Sequence, residues 1–321
     1  MFHFDRGIKL TKADLAVDCT RRQPRAFISH AHTDHMARHE YAICTPETAR
    51  LYQFRLGERP VLHLPYRKPI EWGGLRLTTY PAGHCLGAAM LLAEDGDRSL
   101  LYTGDFKLSA SATAEQCELP QADVLVMECT YGRPNYRREH RDQTIDRLIT
   151  AVRTVLARDI PPVILAYSLG KAQEVTRILT LAGIPVLQHP DVHAISVLYE
   201  AMGTSLGDFQ KYPGRWIPGH AVVAPPRFHK AKPLPGLKKC YQIAVTGWAA
   251  DAPTRFRWGV DEGIPLSDHA DYDELFECVR RVAPKKIYCT HGPASFVDRL
   301  CEAGFNAYPL GMPAGQQLRL F

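Results

Sequence analysis

Residues 27–36, FISHAHTDHM, set four metal-capable side chains, His30, His32, Asp34 and His35, within six positions. Neutral imidazole and carboxylate suit borderline and hard divalent cations such as Zn²⁺ or Mn²⁺, and no thiolate stands among them. The apolar run RAFIS just before them reads as a strand. If the segment stays extended, alternate side chains share a face. His30, His32 and Asp34 then converge, and His35 turns away towards a second centre.

Three separated residues have the same chemistry. His84 stands in the Gly-flanked stretch PAGHCLGAA, where missing side chains let the backbone fold closely round a ligand. Asp105 ends the apolar run LLYTGDF, and His291 ends KIYCTHG. Functional side chains gather where loops leave a rigid sheet. Any one of the three alone reads as an ordinary core or turn residue, but with the cluster they read as one site. His3, His39, His63, His140, His189, His193, His220 and His229 have no such context and read as packing or surface residues.

The elements that must position these residues are short and apolar in the first part of the chain. LAVDC, RAFISH, LRLTTYPA, AAMLLAED, RSLLYTGD and VLVMEC read as strands over residues 1–130, bounded by turn formers such as EWGG and EDGD. The period then changes. Ile145, Leu148, Ile149, Val152 and Val155 recur at helical spacing. A strand PPVILAYS, a helix from about Lys171 to Ala182, a strand IPVLQ and a helix to about Met202 follow, an alternation that implies a parallel sheet. Residues 207–239 are rich in Pro and Gly with no clear period, and YQIAV, DYDELFECVRRVA and KIYCTH read as strand, helix and strand. The expected organisation is a β-rich α/β domain interrupted by an α/β insert.

With 321 residues, 45% of them hydrophobic, the chain can bury a large core. A net charge of +5 suits a polyanionic substrate without requiring one. Nine scattered cysteines with no C-x-x-C pair read as reduced thiols. The start has no apolar signal core, and no run approaches the roughly 20 residues of a membrane span. A cytoplasmic protein without membrane association is expected.

H-x-H-x-D-H, the later G-H, T-G-D and T-H-G together resemble the metallo-β-lactamase superfamily. That resemblance implies one metal held by His30, His32 and His84 and a second by Asp34, His35 and His291, with Asp105 bridging. Asp18 in LAVDC matches the family's first acidic motif and is expected to orient a ligand. Two divalent ions, Zn²⁺ or Mn²⁺, would activate a shared water as nucleophile, so the expected reaction is hydrolysis.

The superfamily hosts many chemistries, and the fold does not choose between them. VLVMECTYG is similar to the first signature of its β-CASP nuclease branch, with Glu128 as the acidic residue. PLSDHADYDEL is similar to the second, with His269, and YCTHG to the third. PPVILAYSLGKAQEVTRIL resembles the branch's strand-loop-helix element in the cap. The resemblance implies an α/β fold, a metallo-β-lactamase αββα sandwich with an inserted α/β cap: catalytic domain at 1–134 and 251–321, cap at 135–250. Asp34, Glu128 and His269 are the expected catalytic residues. His269 is a general acid for the leaving oxygen and Glu128 its partner, although SDHADYDEL also reads as a helix cap at Asp268 or Asp271.

Lys171, at a helix start, reads either as a phosphate contact or as a solvated helix end. Arg137 and Arg138, with Arg133 and Arg141, follow the Glu128 motif, and Arg227, Lys230, Lys232, Lys238 and Lys239 form a second basic run. Both read as phosphate-tracking stripes or as solvated faces. Tyr136, Phe228 and Trp258 read as base-stacking or packing residues. A histidine at the third signature is common in RNA-acting members. The segment from GWAADAPTRFRWGVDEG onward resembles bacterial ligase-associated DNA exonucleases. The expectation is therefore a DNA exonuclease, with endonuclease activity open, acting in repair and functionally linked to an ATP-dependent DNA ligase. The alternatives are an RNA-processing β-CASP ribonuclease, a non-catalytic nucleic-acid-binding subunit and a thioesterase-like small-molecule hydrolase.

Overall fold

In the strand Ala89–Glu94, Met90 and Leu92 face one way and Leu91 and Ala93 the other, and all four are buried. A strand apolar on both faces must lie between two layers. The computed structural model, which describes residues 2–4, 7–137, 140–226, 234–237, 239–250 and 258–310, supplies both. Leu91 and Ala93 pack with Leu100, Tyr102 and Val126 against Leu10, Leu15, Val17, Phe27 and Ile43 of a second sheet. Met90 and Leu92 pack with Leu101, Leu125 and Met127 against Leu275, Val279, Phe296 and Leu300 of two helices, Tyr272–Val282 and Ala294–Glu302.

The first sheet runs in chain order through Phe2–Phe4, Ile8–Leu10, Leu15–Val17, Arg25–Phe27, Tyr41–Cys44 and Val61–His63. The second has the order Ala307–Pro309, Lys286–Thr290, Val124–Glu128, Ser99–Tyr102, Ala89–Glu94, Leu75–Pro81 and Ile70–Trp72. Sheet on sheet with helices outside is the expected αββα sandwich. Val124–Glu128 lies between Ser99–Tyr102 and Lys286–Thr290, parallel to both, with Glu128 opposite Thr290. That register brings the ends carrying Asp105, Glu128 and His291 to one edge.

The helix Pro46–Leu56 was not foreseen among the early strands. Its signal is local: Thr45 caps Thr48 N–H, Pro46 starts the first turn, and Gly57 follows the last.

The chain divides into two compact units, residues 1–110, 114–137 and 269–321, and residues 111–113 and 138–268. The second is built on an all-parallel sheet with order Phe209–Lys211, Val186–Gln188, Ala221–Ala224, Pro162–Leu165, Tyr241–Val245 and Glu262–Ile264. Leu148, Val152, Val175 and Leu179 from the helices Arg141–Leu156 and Lys171–Leu181 cover Ile164, Val223 and Ile243 on one face. Val163, Leu187 and Val222 face Tyr212 and Leu237 on the other.

The domain limits differ from the expected ones. Glu262–Ile264 adds an edge strand beside Tyr241–Val245, so the insert runs to Asp268 instead of stopping at residue 250, and it begins after Arg137 instead of Pro134. Phe209–Lys211 and Ala221–Ala224 are strands inside the Pro- and Gly-rich stretch that showed no period. Among the described residues no helix is long and apolar enough to cross a membrane.

Candidate metal centre

The loop after Arg25–Phe27 is not extended. His35 N–H donates to His32 C=O at 3.1 Å, closing a turn. The period-2 expectation therefore fails at Asp34, which does not share the face of His30 and His32. Its exposed carboxylate lies 3.8 Å from His35 Nε2. The turn instead brings the rings of His30 and His32 to that of His84 on a separate loop. His30 Nε2 is 3.0 Å from His32 Nδ1, which is 3.1 Å from His84 Nε2.

One oxygen of Asp105 reaches three rings: its Oδ2 is 3.3 Å from His35 Nε2, 3.5 Å from His30 Nε2 and 3.8 Å from His84 Nε2, and the rings of His30 and His35 lie 4.2 Å apart. The ring of His291 lies 5.6 Å from that of His35, centre to centre. His291 holds φ 56°, a conformation that a side chain rarely adopts and that the end of Lys286–Thr290 imposes.

A single carboxylate, Asp18, orders His30 and His35. Asp18, itself at φ 45°, accepts from Ser29 N at 2.7 Å, Ser29 Oγ at 2.5 Å and Tyr102 OH at 2.9 Å, and its Oδ2 lies 2.8 Å from His35 Nδ1. Ser29 spends its only hydroxyl proton on Asp18, so at 2.9 Å it accepts from His30 Nδ1–H. His30 is thereby held as the tautomer whose Nε2 lone pair faces Asp105, whereas His35, against the effect of burial, is held well above the usual imidazole range by the Asp105 and Asp18 carboxylates on its two nitrogens. Burial, helped by neighbouring His35 and His84, holds His30 well below the usual imidazole range and so neutral.

Close packing fixes the loops. Gly104 has φ 55°, and a Cβ there would stand 2.7 Å from Ser29 Oγ. Gly83 has φ 78°, and its Cβ would stand 2.2 Å from Lys107 O. The carbonyl of Gly87 accepts from Thr45 and Thr48 hydroxyls, and its N–H donates to Glu115, which secures the loop carrying His84. Arg55 donates to Ala31 O at 2.5 Å and braces the HAHTDH turn. Sequence reasoning missed Ser29, Tyr102, Thr45, Thr48, Arg55 and Glu115. Only Ser29, adjacent to His30, carried a signal.

Three imidazole nitrogens and a carboxylate oxygen, from His30, His32, His84 and Asp105, lie within 4.8 Å of one another. Imidazole nitrogens facing one another beside a carboxylate, with no thiolate, fit a divalent cation of the zinc type.

Beside this cluster, His269 Nδ1 lies 2.9 Å from Oε1 of the buried Glu128, which also accepts from Phe106 N at 3.1 Å. Thr130 holds the other oxygen through its Oγ1 at 2.5 Å. Asp105, Glu128 and His269 form a second close group, and the rings of His269 and His84 are 4.6 Å apart. The helix-cap alternative resolves to Asp271, which caps Tyr272–Val282 by accepting from Asp273 N and Glu274 N. His269 lies two residues ahead of that cap, so the two roles fall on different residues.

The expected substrate contacts fare differently. Lys171 is 1% exposed and its Nζ donates to Glu174 at 2.9 Å. The helix start is also spent internally, with Gly170 N–H on Gln173 Oε1 and Ala172 N–H on Tyr167 O. A buried, paired ammonium above a satisfied helix end has nothing to offer a phosphate, so that expectation is withdrawn. Arg137 is exposed, pairs with Asp273 at 3.0 Å and lies over the Tyr272 ring. Arg138, Arg227, Phe228, Lys230, Lys232 and Lys238 lie outside the described residues.

Residues 262–308 match the family model described as "Zn-dependent metallo-hydrolase RNA specificity domain". The chain is 36% identical over 315 residues to a "Probable DNA ligase" of Opitutus terrae, covering 96% of this chain and 31% of that protein. It is 34% identical over 290 residues to "Cleavage and polyadenylation specificity factor subunit 3" of Dictyostelium discoideum, covering 73% of this chain and 37% of that protein. "Endoribonuclease YSH1" of Mycosarcoma maydis is 35% identical over 133 residues, 40% of this chain and 14% of that protein. The chain thus spans little more than a third, at most, of these curated relatives. A solved structure, a protein of unknown function from Enterococcus faecalis V583, has the same fold at a TM-score of 0.61. It is 15% identical, with 90% of this chain and 79% of that one covered.

Proposed function

Since this chain belongs to the β-CASP branch of the metallo-β-lactamase superfamily, we propose that it is a metal-dependent nuclease that trims DNA ends. The observation that carries the reading is the Glu128–His269 pair, a proton-handling couple set against a cluster of metal-type donors.

His30, His32 and His84 would hold one divalent ion and Asp34, His35 and His291 a second, with Asp105 between them. When bound, such ions supply Lewis-acid neutralisation of phosphate charge and acidify water. The protein's own residues do the rest. Asp18, directly and through Ser29, keeps His35 and His30 facing inward. Glu128 accepts from His269 Nδ1 and fixes the ring, which leaves Nε2 as the atom that gives a proton to the departing oxygen. Thr130 and Phe106 N–H hold the carboxylate so that it cannot swing away.

DNA is favoured because a relative that matches nearly the whole chain is named as a ligase, and a nuclease carried beside a ligase acts on the ends that the ligase seals. A second reading, an RNA-processing nuclease, is favoured by the family model's RNA-specificity description and by the relatives named as RNA-processing factors. The test is cleavage of end-labelled single- and double-stranded DNA and RNA by chain loaded with Zn²⁺ or Mn²⁺. Loss on chelation and recovery on metal return are expected. Cleavage of RNA alone would replace the first reading by the second, and cleavage of neither would refute both.

A further inference from the structure

The second unit contains a buried knot of charge whose members the proposed mechanism does not use. Glu174, on the first turn of Lys171–Leu181, accepts at Oε1 from Arg141 Nη2 at 2.7 Å and from Ser111 Oγ at 2.9 Å. At Oε2 it accepts from Lys171 Nζ at 2.9 Å, and the same ammonium lies 3.7 Å from Asp268 Oδ1. The side chains of Lys171 and Glu174 are 1% and 3% exposed.

The members of the knot sit where the chain enters and leaves this unit. Ser111 belongs to the short excursion 111–113, Arg141 follows the entry after Arg137, and Asp268 is the last residue before the exit. His269 comes next in the chain. One helix turn thus gathers all three passages.

A buried ion pair is a poor source of stability, because desolvation offsets most of the attraction. What it supplies is place: an ammonium between two carboxylates loses heavily if either moves. Tethering Asp268 leaves a single residue step between a fixed carboxylate and the imidazole of His269. Misplacing a reacting group by about 1 Å can cost about a hundredfold in rate.

We propose that Lys171 and Glu174 are positioning residues for His269, acting by anchoring Asp268. The inference rests on the reading of His269 as proton donor to the leaving oxygen. Donor placement matters only when the leaving group needs a proton. A defect in it disappears on bis(p-nitrophenyl) phosphate, whose nitrophenolate leaves without one, whereas a general structural defect does not.

The experiment uses the full chain loaded with Zn²⁺ or Mn²⁺ and compares Lys171→Met and Glu174→Gln with the wild type on labelled DNA and RNA and on bis(p-nitrophenyl) phosphate. Expected is a fall in kcat of about tenfold to a hundredfold on the nucleic acid, with KM and metal content unchanged. Near-normal turnover of the activated ester should accompany it. Lys171→Arg, which keeps the charge, should recover most of the rate. Equal loss on both substrates, or no loss on nucleic acid, overturns the inference. If the first variants do not fold, Ser111→Ala, which removes one donor to Glu174, must still lose more on nucleic acid than on the ester; equal ratios overturn it. A wild-type chain that cleaves neither substrate overturns the nuclease reading and this inference together. A wild type that cleaves, with variants that lose both alike, removes the inference alone.

Discussion

Glu128 and His269 are 141 positions apart in the chain, yet Oε1 and Nδ1 meet at 2.9 Å. The carboxylate ends a central strand and the imidazole precedes a capped helix, so each is held by an element the core has already fixed. In the proposed mechanism the pair separates proton handling from metal holding. His269→Ala is expected to keep its metal and lose about 10²–10⁴-fold in cleavage rate, whereas Asp105→Ala loses metal and activity together. Elemental analysis beside single-turnover rates distinguishes them. Unchanged cleavage in His269→Ala would remove that residue from the mechanism.

Asp18 touches no substrate in the proposed mechanism, yet it orients two rings, His35 directly and His30 through Ser29. Asp18→Ala should weaken metal affinity by about 10–100-fold, read by titration against a competing chelator. Affinity equal to wild type would mean that the rings are oriented without Asp18.

Gly104→Ala tests the same support from the other side. At φ 55° an added Cβ presses on Ser29, the link between Asp18 and His30. Destabilisation of about 1–3 kcal/mol is expected from the backbone conformation alone, together with weaker metal binding. A urea midpoint and a metal titration equal to wild type would show that the turn can relax.

His39 is buried and takes no part in the proposed metal set. Burial, opposed by Asp18, pushes its imidazole down to about 4, whereas an unfolded histidine titrates near 6.5. The folded pKa is the lower one, so the unfolded chain binds the extra proton. The contribution is therefore fully present above about 6.5 and is lost as pH falls from there towards 4. The urea midpoint should drop over that window, and His39→Gln should flatten the slope. Parallel slopes in the two proteins would exclude His39 as the titrating group.

Motif residues were legible in the sequence because their chemistry is rare at that density. Four ligand-type side chains in six positions have few other uses, His84 stands in a Gly-flanked loop, and Asp105 and His291 each end an apolar run. The two-sided burial of the central sheet was legible too, since Met90 to Ala93 are apolar without a break. The strands Phe209–Lys211 and Ala221–Ala224 were not, because three or four residues are too few to establish a period amid Pro and Gly.

By itself the sequence determined which side chains have metal-ligand and proton-handling chemistry, their order, and the alternation that makes a layered α/β fold with an insert. The tertiary structure alone decided how they are aimed. A turn, not an extended strand, puts Asp34 with His35. Asp18 reaches Tyr102 and His35 from distant positions. Lys171 is drawn inside by Glu174 when its place at a helix start pointed outward. The physical reason is common to all three. Composition and spacing report what a residue can do, but the direction of a side chain depends on partners that only packing brings within hydrogen-bond reach.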